Sequence, residues 1–377
     1  MRVLHILDSL NRGGAEVMML DVCRRARAEG LDLTFAATGG GDMEEEFRAA
    51  GVDFIRLQRR YPVDFGLIAR LRRQVREREI EVVHSHQAVE ALHAYFATQG
   101  TRARRVLTLH GWIPTTKNRV ASKFVIPRMH ANVVVSRDLL DYLSREEKIE
   151  TGRGFHLIYN GVDARRLVPG NGPTLRSELG LDERHVLFGM VSNFYLGMKD
   201  QLTVCKALPR LFAESPSLHF IFAGGRSQSA PQLYDDCVAF CREQGIAERV
   251  HFLGKREDVA RVLDALDAFV FSSLQEGSPI AVIEAMMRGL PLIVSDIRPL
   301  VEAIGEGGCA VTFRTRDAED LARKALPLLR NPSLREELGA RAREYARATF
   351  SIETHIANLL KLYKSLTGVP SSRAESA

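Results

Sequence analysis

The sequence predicts an α/β protein of two doubly wound, Rossmann-like domains facing one another across a cleft. Three observations lead there. A chain of 377 residues is too long for one ordinary core. Short apolar runs alternate with helical periodicity along it, the rhythm of parallel sheets covered by helices on both faces. That rhythm runs twice, on either side of NGVDARRLVPGNGPTL (160–175), whose Gly, Pro and Asn read as a linker.

The first series places strands at RVLHIL (2–7), LDLTFAAT (31–38), VDFIRL (52–57), EVVHSH (81–86), RRVLTLH (104–110) and NVVVS (132–136). The second places them at VLFGMVS (186–192), LHFIFAG (218–224), RVHFLG (249–254), AFVFSS (268–273), LPLIVS (290–295) and CAVTF (309–313). The expected domains are 1–165 and 166–350. A final helix at about 351–366, expected to cross back to the N-terminal domain, and the polar tail PSSRAESA complete 351–377. In doubly wound sheets ligands bind beyond the carboxyl ends of the strands, so functional residues are sought there.

Composition is that of a globular chain, 45% hydrophobic and 26% charged. No apolar run approaches a membrane span, and Asp8 interrupts the first strand too early for a signal-peptide core. The five cysteines (Cys23, Cys205, Cys237, Cys241, Cys309) are scattered through predicted elements with no second pair to complete a zinc site. They read as reduced core thiols of a cytoplasmic protein. The net charge of +5 is concentrated: residues 59–78 carry seven arginines against Asp64 and Glu77.

The stretch EGSPIAVIE (276–284) follows a fully apolar strand and opens a helix, with Ser278 expected at the N-cap and Pro279 as the first helical residue ahead of Ile280. Free N–H groups and the helix dipole make such a start an anion site. Glu276 beside it would repel a bare phosphate but accept hydrogen bonds from hydroxyls on the phosphate's substituent. Glu284, further along, suits vicinal hydroxyls such as those of a ribose. Two solvated glutamates on a capped surface helix remain the bland alternative. The turn NRGGAE after the first strand permits close backbone approach at Gly13 and Gly14, but lacks the third glycine of a dinucleotide fingerprint. TGGGD (38–42) reads as a plain turn. His110 ends the fifth strand, where a neutral imidazole can bond a sugar hydroxyl or simply cap the strand. His84 and His86, at another strand end, read as structural, with an acceptor role as the alternative.

EGSPIAVIEAMMRGLPLIVSD resembles the E-x7-E segment of glycosyltransferase family 4, whose members are retaining enzymes of the two-domain GT-B fold. LNRGGAE, LTLHGW, IYNGVD, FAGG and FLGKREDV follow in that family's order over nearly the whole chain. The resemblance implies sugar transfer from a nucleoside-diphosphate donor, UDP in preference to GDP, to a glycan or lipid-linked acceptor held mainly by the N-terminal domain. It implies Glu276 and His110 on the sugar, Lys199 and the helix start (Ser278, Pro279, Ile280) on the diphosphate, and Glu284 on the ribose. Gly13 and Gly14 fall near the phosphates and acceptor, and Lys255 and Arg256 near the base. VSNFYLGMKDQ (191–201) departs from the family pattern: Lys199 is present, but Asn193 stands where the family usually has Arg. Asn keeps hydrogen bonding and loses charge. Either another arginine substitutes, Arg256 being one candidate, or phosphate binding is weaker.

There is no Asp-x-Asp, so no metal and no cofactor is expected; Lys199 and helix N–H groups would meet the leaving-group charge. No carboxylate pair marks a hydrolase. The helix expected over 64–78 puts Leu67, Leu71 and Val75 on one face. Its Arg70, Arg72, Arg73 and Arg76 suit either an ordinary exposed face or an anionic membrane surface. No nucleic-acid motif accompanies them, and Trp112 is the only tryptophan. The reading is a cytoplasmic retaining glycosyltransferase, peripheral to the membrane, of surface-glycan or glycolipid synthesis. A non-catalytic sugar-nucleotide-binding protein, a nucleotide-sugar epimerase and a tandem-Rossmann oxidoreductase are the rivals.

Overall fold

A computed structural model describes residues 1–113, 115–228 and 230–368; the polar tail lies outside them. The chain forms two compact units, residues 1–162 with 350–377, and residues 163–349. Unit 1 contains β1 (Arg2–Leu7), β2 (Asp32–Ala37), β3 (Asp53–Arg56), β4 (Val82–Ser85), β5 (Arg104–Leu109), β6 (Ala131–Val134) and β7 (Phe155–Leu157). They lie in the order β3-β2-β1-β4-β5-β6-β7, every pairing parallel. Unit 2 contains β8 (Val186–Val191), β9 (Leu218–Ala223), β10 (Val250–Gly254), β11 (Ala268–Phe271), β12 (Leu292–Ser295) and β13 (Val311–Phe313). Their order is β10-β9-β8-β11-β12-β13, also parallel throughout. Each sheet therefore reverses its winding beside its first strand: between β1 and β4, and between β8 and β11. Such a reversal is where a doubly wound sheet leaves a crevice.

Twelve of these strands are the apolar runs read from the sequence. Parallel strands covered on both faces are apolar on both, which makes them conspicuous. The thirteenth, β7, is a half-exposed edge of three residues with no apolar signature. In unit 2 Phe188, Phe220, Phe222, Phe269 and Phe271 are fully buried, each worth about 1.5–3 kcal/mol relative to exposure.

The terminal helix Ile352–Thr367 belongs to unit 1 and closes its core. Ser351 caps it through Thr354 N–H, and Val162 pairs with Ser351 in a parallel bridge. Gly161 is required there, since a Cβ would lie 2.7 Å from the Cβ of His355 and 2.9 Å from the Cα of Ile352. All five cysteines are free and buried. TGGGD is more than a plain turn: Cβ atoms at Gly39 and Gly41 would fall 2.0 Å from backbone atoms of Asp8 and Leu10, so two loops at the crevice edge pack main chain to main chain.

Candidate active site

In unit 2 the site grows from the ends of β8 and β11. After β8 the chain turns through Asn193 and reaches Lys199, whose backbone bridges Ser273 just past β11. The Lys199 ammonium pairs with Glu276, and the Ser273 hydroxyl donates to the same carboxylate oxygen at 2.7 Å. Both charged side chains are about nine-tenths buried, and the ammonium lies 4.9 Å from the Phe271 ring centroid. A desolvated pair of this kind survives because each charge answers the other.

The helix following Glu276 spans Ile280–Arg288. Its N-cap is Pro279 rather than Ser278, and no side chain caps it. Pro279 has φ −83° and ψ 77°, and the Ile280 N–H donates to the Ser278 carbonyl at 3.0 Å, an inverse γ-turn that replaces the expected serine cap. One N–H of the helix start is thereby spent. Glu284 sits one turn into this helix, 6% exposed, and accepts from the Arg166 guanidinium at 2.5 Å. Arg166, in the stretch expected to be linker, is a partner that sequence reading missed; nothing local in the sequence announces it.

Asn193 is tied into the fold. Its Oδ1 accepts from Gly225 N–H at 2.8 Å and its amide donates to the Tyr195 hydroxyl at 3.1 Å. It thus joins the loop after β8 to the loop after β9. Arg256 does not stand free to replace the missing arginine: it makes a bidentate pair with Asp258 at 2.7 and 2.5 Å and reaches Glu178 at 3.4 Å. Lys255 follows β10, beside Gly254, which has φ +65°. Arg226, directly after Gly225, is a further cation at this edge that the sequence reading passed over; it pairs with Asp235 at 2.8 Å.

Unit 1 carries His110, Gly13 and Gly14. Gly13 precedes the helix Gly14–Arg25, and a Cβ there would lie 2.6 Å from the Glu16 carboxylate. Glu16, Asp8 and Glu90 form an acidic group near this turn. Burial raises all three, Glu16 and Glu90 to about 7, reinforced in those two by the nearby Asp8. Glu90 lies in the otherwise apolar helix Ala88–Ala97, accepts from Thr38 at 3.0 Å and faces Arg59 at 3.2 Å. A lone carboxylate on an apolar helix was the available signal.

His110 is not a plain strand-end cap. Its Nε2 lies 2.8 Å from Nδ1 of His86, whose Nε2 lies 2.9 Å from Nδ1 of His5. His5 Nε2 is 3.0 Å from the Tyr363 hydroxyl, which is 2.5 Å from Nδ1 of His84; His84 Nε2 reaches the Thr108 hydroxyl at 2.6 Å. Parallel pairing sets His5 beside His84, and the two-residue period puts His86 on the same face. Burial, then neighbouring histidines, lowers His5 to about 3, His110 to about 4, and His84 and His86 well below the ordinary value, so the rings are neutral. Among the described residues His5, His84 and His86 are the trio whose nitrogens could converge on a metal, within 4.8 Å. Those nitrogens are spent on the bonds just given.

Two family profiles match the chain: one described as Glycosyltransferase Family 4 over residues 12–166, the other as Glycosyl transferases group 1 over residues 185–331. The chain belongs to glycosyltransferase family 4. An N-acetyl-alpha-D-glucosaminyl L-malate synthase of Bacillus anthracis is 25% identical over 312 residues, 80% of this chain and 79% of that protein. A glycosyltransferase structure from Rickettsia africae superposes with TM-score 0.84 at 18% identity, covering 98% of this chain and 99% of its own. Anabaena Alr3699/HepE in complex with UDP and glucose gives 0.83 at 17% identity, covering 97% and 100%. The fold of this family 4 glycosyltransferase is accordingly GT-B. Among its described residues no helix is long and apolar enough to cross a membrane.

Proposed function

We propose that this glycosyltransferase moves a sugar, with retention of configuration and without a metal, from a UDP-sugar, in preference to a GDP-sugar, to a hydroxyl of a glycan or lipid-linked acceptor in surface-glycan or glycolipid synthesis. The observation that carries the reading is the Lys199–Glu276–Ser273 cluster at the switch point of unit 2, followed at once by the helix that bears Glu284. In this reading the donor diphosphate takes Lys199 as its counter-charge and lies toward the helix start at Ile280. Glu276, released from Lys199, accepts from sugar hydroxyls, His110 bonds the sugar, and Glu284, oriented by Arg166, accepts from the ribose. Lys255 and Arg256 flank the base, and acceptor recognition falls to unit 1 beside Gly13 and Gly14.

The C1–O bond to the diphosphate breaks with oxocarbenium character while the acceptor oxygen bonds C1 from the same face. The acceptor proton passes to the departing diphosphate oxygen, whose charge Lys199 offsets. Peripheral docking of a cytoplasmic enzyme to an anionic membrane belongs to the same proposal. The helix Phe65–Glu77 presents Arg73 and Arg76 behind the exposed Tyr61, Val63 and Phe65, while Arg70 and Arg72 donate to backbone carbonyls. Vesicle binding that persists after charge reversal at Arg70, Arg72, Arg73 and Arg76 overturns that part.

The core of the proposal is tested by thermal shift with UDP, GDP and NAD on the wild type and Glu284→Ala. A ligand at 100 times its dissociation constant stabilises by about 2.7 kcal/mol. Stabilisation by UDP that the variant loses is the expected result. A response to NAD alone, or to no nucleotide, overturns it; UDP binding without transfer to any acceptor favours the non-catalytic reading that Asn193 suggests.

A further inference from the structure

We infer that His5, His84, His86 and Tyr363 act on His110 as one concerted relay, so that all four histidines carry their proton on the same ring nitrogen and the free end of His110 is donor or acceptor according to that shared choice. The inference follows from counting donors. Five hydrogen bonds run in series from His110 through His86, His5, Tyr363 and His84 to Thr108. A neutral imidazole has one donor and one acceptor nitrogen, and a phenol has one proton to donate. If Tyr363 donates to Nδ1 of His84, then His84 must donate from Nε2 to Thr108. His5 must then donate from Nε2 to the phenol oxygen, His86 from Nε2 to His5, and His110 from Nε2 to His86. Every ring is Nε2–H, and Nδ1 of His110 is a bare acceptor. If instead Tyr363 donates to His5, each ring becomes Nδ1–H, Thr108 donates to His84, and Nδ1 of His110 is a donor. A mixed arrangement leaves two lone pairs or two protons facing each other in a region where His5, His84 and Tyr363 have no exposed surface.

Nδ1 of His110 is the unspent end: it is buried and, among the described residues, has no hydrogen-bond partner. A buried N–H without an acceptor is costlier than an under-used lone pair, so the unliganded protein holds the Nε2–H state. In that state His110 accepts from a ligand hydroxyl; a carboxylate or phosphate oxygen at the same atom would have to turn the whole series over. His5, His84, His86 and Tyr363 are therefore positioning residues, and Tyr363, from the terminal helix, is the joint of the relay. The consequence for a sugar hydroxyl rests on the proposed function. The coupling itself does not, and it is measured on unliganded protein, so the two fail separately.

The test is the ¹⁵N spectrum of histidine-labelled protein, in which protonated and bare ring nitrogens are distinguished directly. In the wild type the four rings are expected to show one common tautomer, Nε2–H. Thr108→Val leaves Nε2 of His84 without a partner and favours its bare form. The Nδ1–H to Nε2–H ratio should then rise about threefold or more, equally at all four rings. In Thr108→Val/Tyr363→Phe the joint is cut, so only His84 should respond. Different tautomers among the four wild-type rings overturn the inference, a result that needs no variant to fold. So does a His110 that ignores Thr108→Val while Tyr363 is present, or that follows it when Tyr363 is absent.

Discussion

Unit 1 and unit 2 share the order of their first six strands and place different materials at the point where that order reverses. Unit 2 sets a buried ion pair there, Lys199 with Glu276, and a second partly buried pair, Arg166 with Glu284, beside it. Unit 1 lays down neutral imidazoles bonded to one another, with carboxyls that burial pushes toward their protonated forms. The difference follows from the task. A leaving diphosphate brings charge and needs a cation that can exchange partners, whereas hydroxyl groups need donors and acceptors of fixed sense and no net charge. Breaking either material separately should therefore show which half of the chemistry it serves.

The largest expected effect is on acid stability. Eight histidines of unit 1 (His5, His84, His86, His93, His110, His130, His156, His355) are lowered by burial, against His219 and His251 in unit 2. A histidine lowered in the folded state contributes stability that is complete above its unfolded value near 6.5 and is lost as pH falls through the folded value. Each contributes up to about 1.4 kcal/mol per pH unit in that window. Asp8, Glu16 and Glu90 act oppositely: raised when folded, they contribute stability that is complete below the unfolded carboxyl value and is lost as pH rises toward 7. The histidines outnumber them, so between pH 6.5 and 4 unit 1 should lose stability first. Hydrogen exchange at pH 7.5 and pH 5 checks this, and unit 2 losing protection ahead of unit 1 would end the comparison.

Next in size is the unit 2 cation. Lys199→Met should lower donor turnover about 10²–10³-fold, the scale of a lost charge-stabilising donor, read as UDP release from UDP-glucose and UDP-N-acetylglucosamine. It also leaves Glu276 buried and unpaired, so the folded state should weaken by about 3–5 kcal/mol. Adding Glu276→Gln should restore most of that stability and none of the turnover. Recovery of both together would mean the pair is structural alone.

Which parts of this were legible in the sequence has a physical pattern. The sheets were, because strands covered on both faces are continuous apolar runs. Lys199, Glu276 and Glu284 were visible as polar residues at predicted strand and helix ends. The partners were not: Arg166 is 118 positions from Glu284, and Tyr363 is 279 from His84. A relay is a property of register and packing, and His5 inside RVLHIL looks like any polar interruption of a strand. Gly39 and Gly41 were misread for the same reason, since the backbone that excludes a Cβ comes from a loop some thirty residues earlier.

Asn193 gives the smallest and most discriminating effect. Where the family usually has arginine, this chain has a side chain whose oxygen accepts from Gly225 N–H. Arginine has no acceptor, so Asn193→Arg must give up that bond while adding a cation at the phosphate edge. The unliganded protein should then lose about 1 kcal/mol of stability, one net hydrogen bond. UDP affinity should rise about tenfold, the worth of one charge-assisted bond to phosphate. Thermal melting without ligand and calorimetric titration with UDP read the two separately. A drop in both would show that joining the two loops, rather than sparing a charge, is what Asn193 does for nucleotide binding, and unit 2 would then depend on neutral hydrogen bonding at its edge much as unit 1 does in its core.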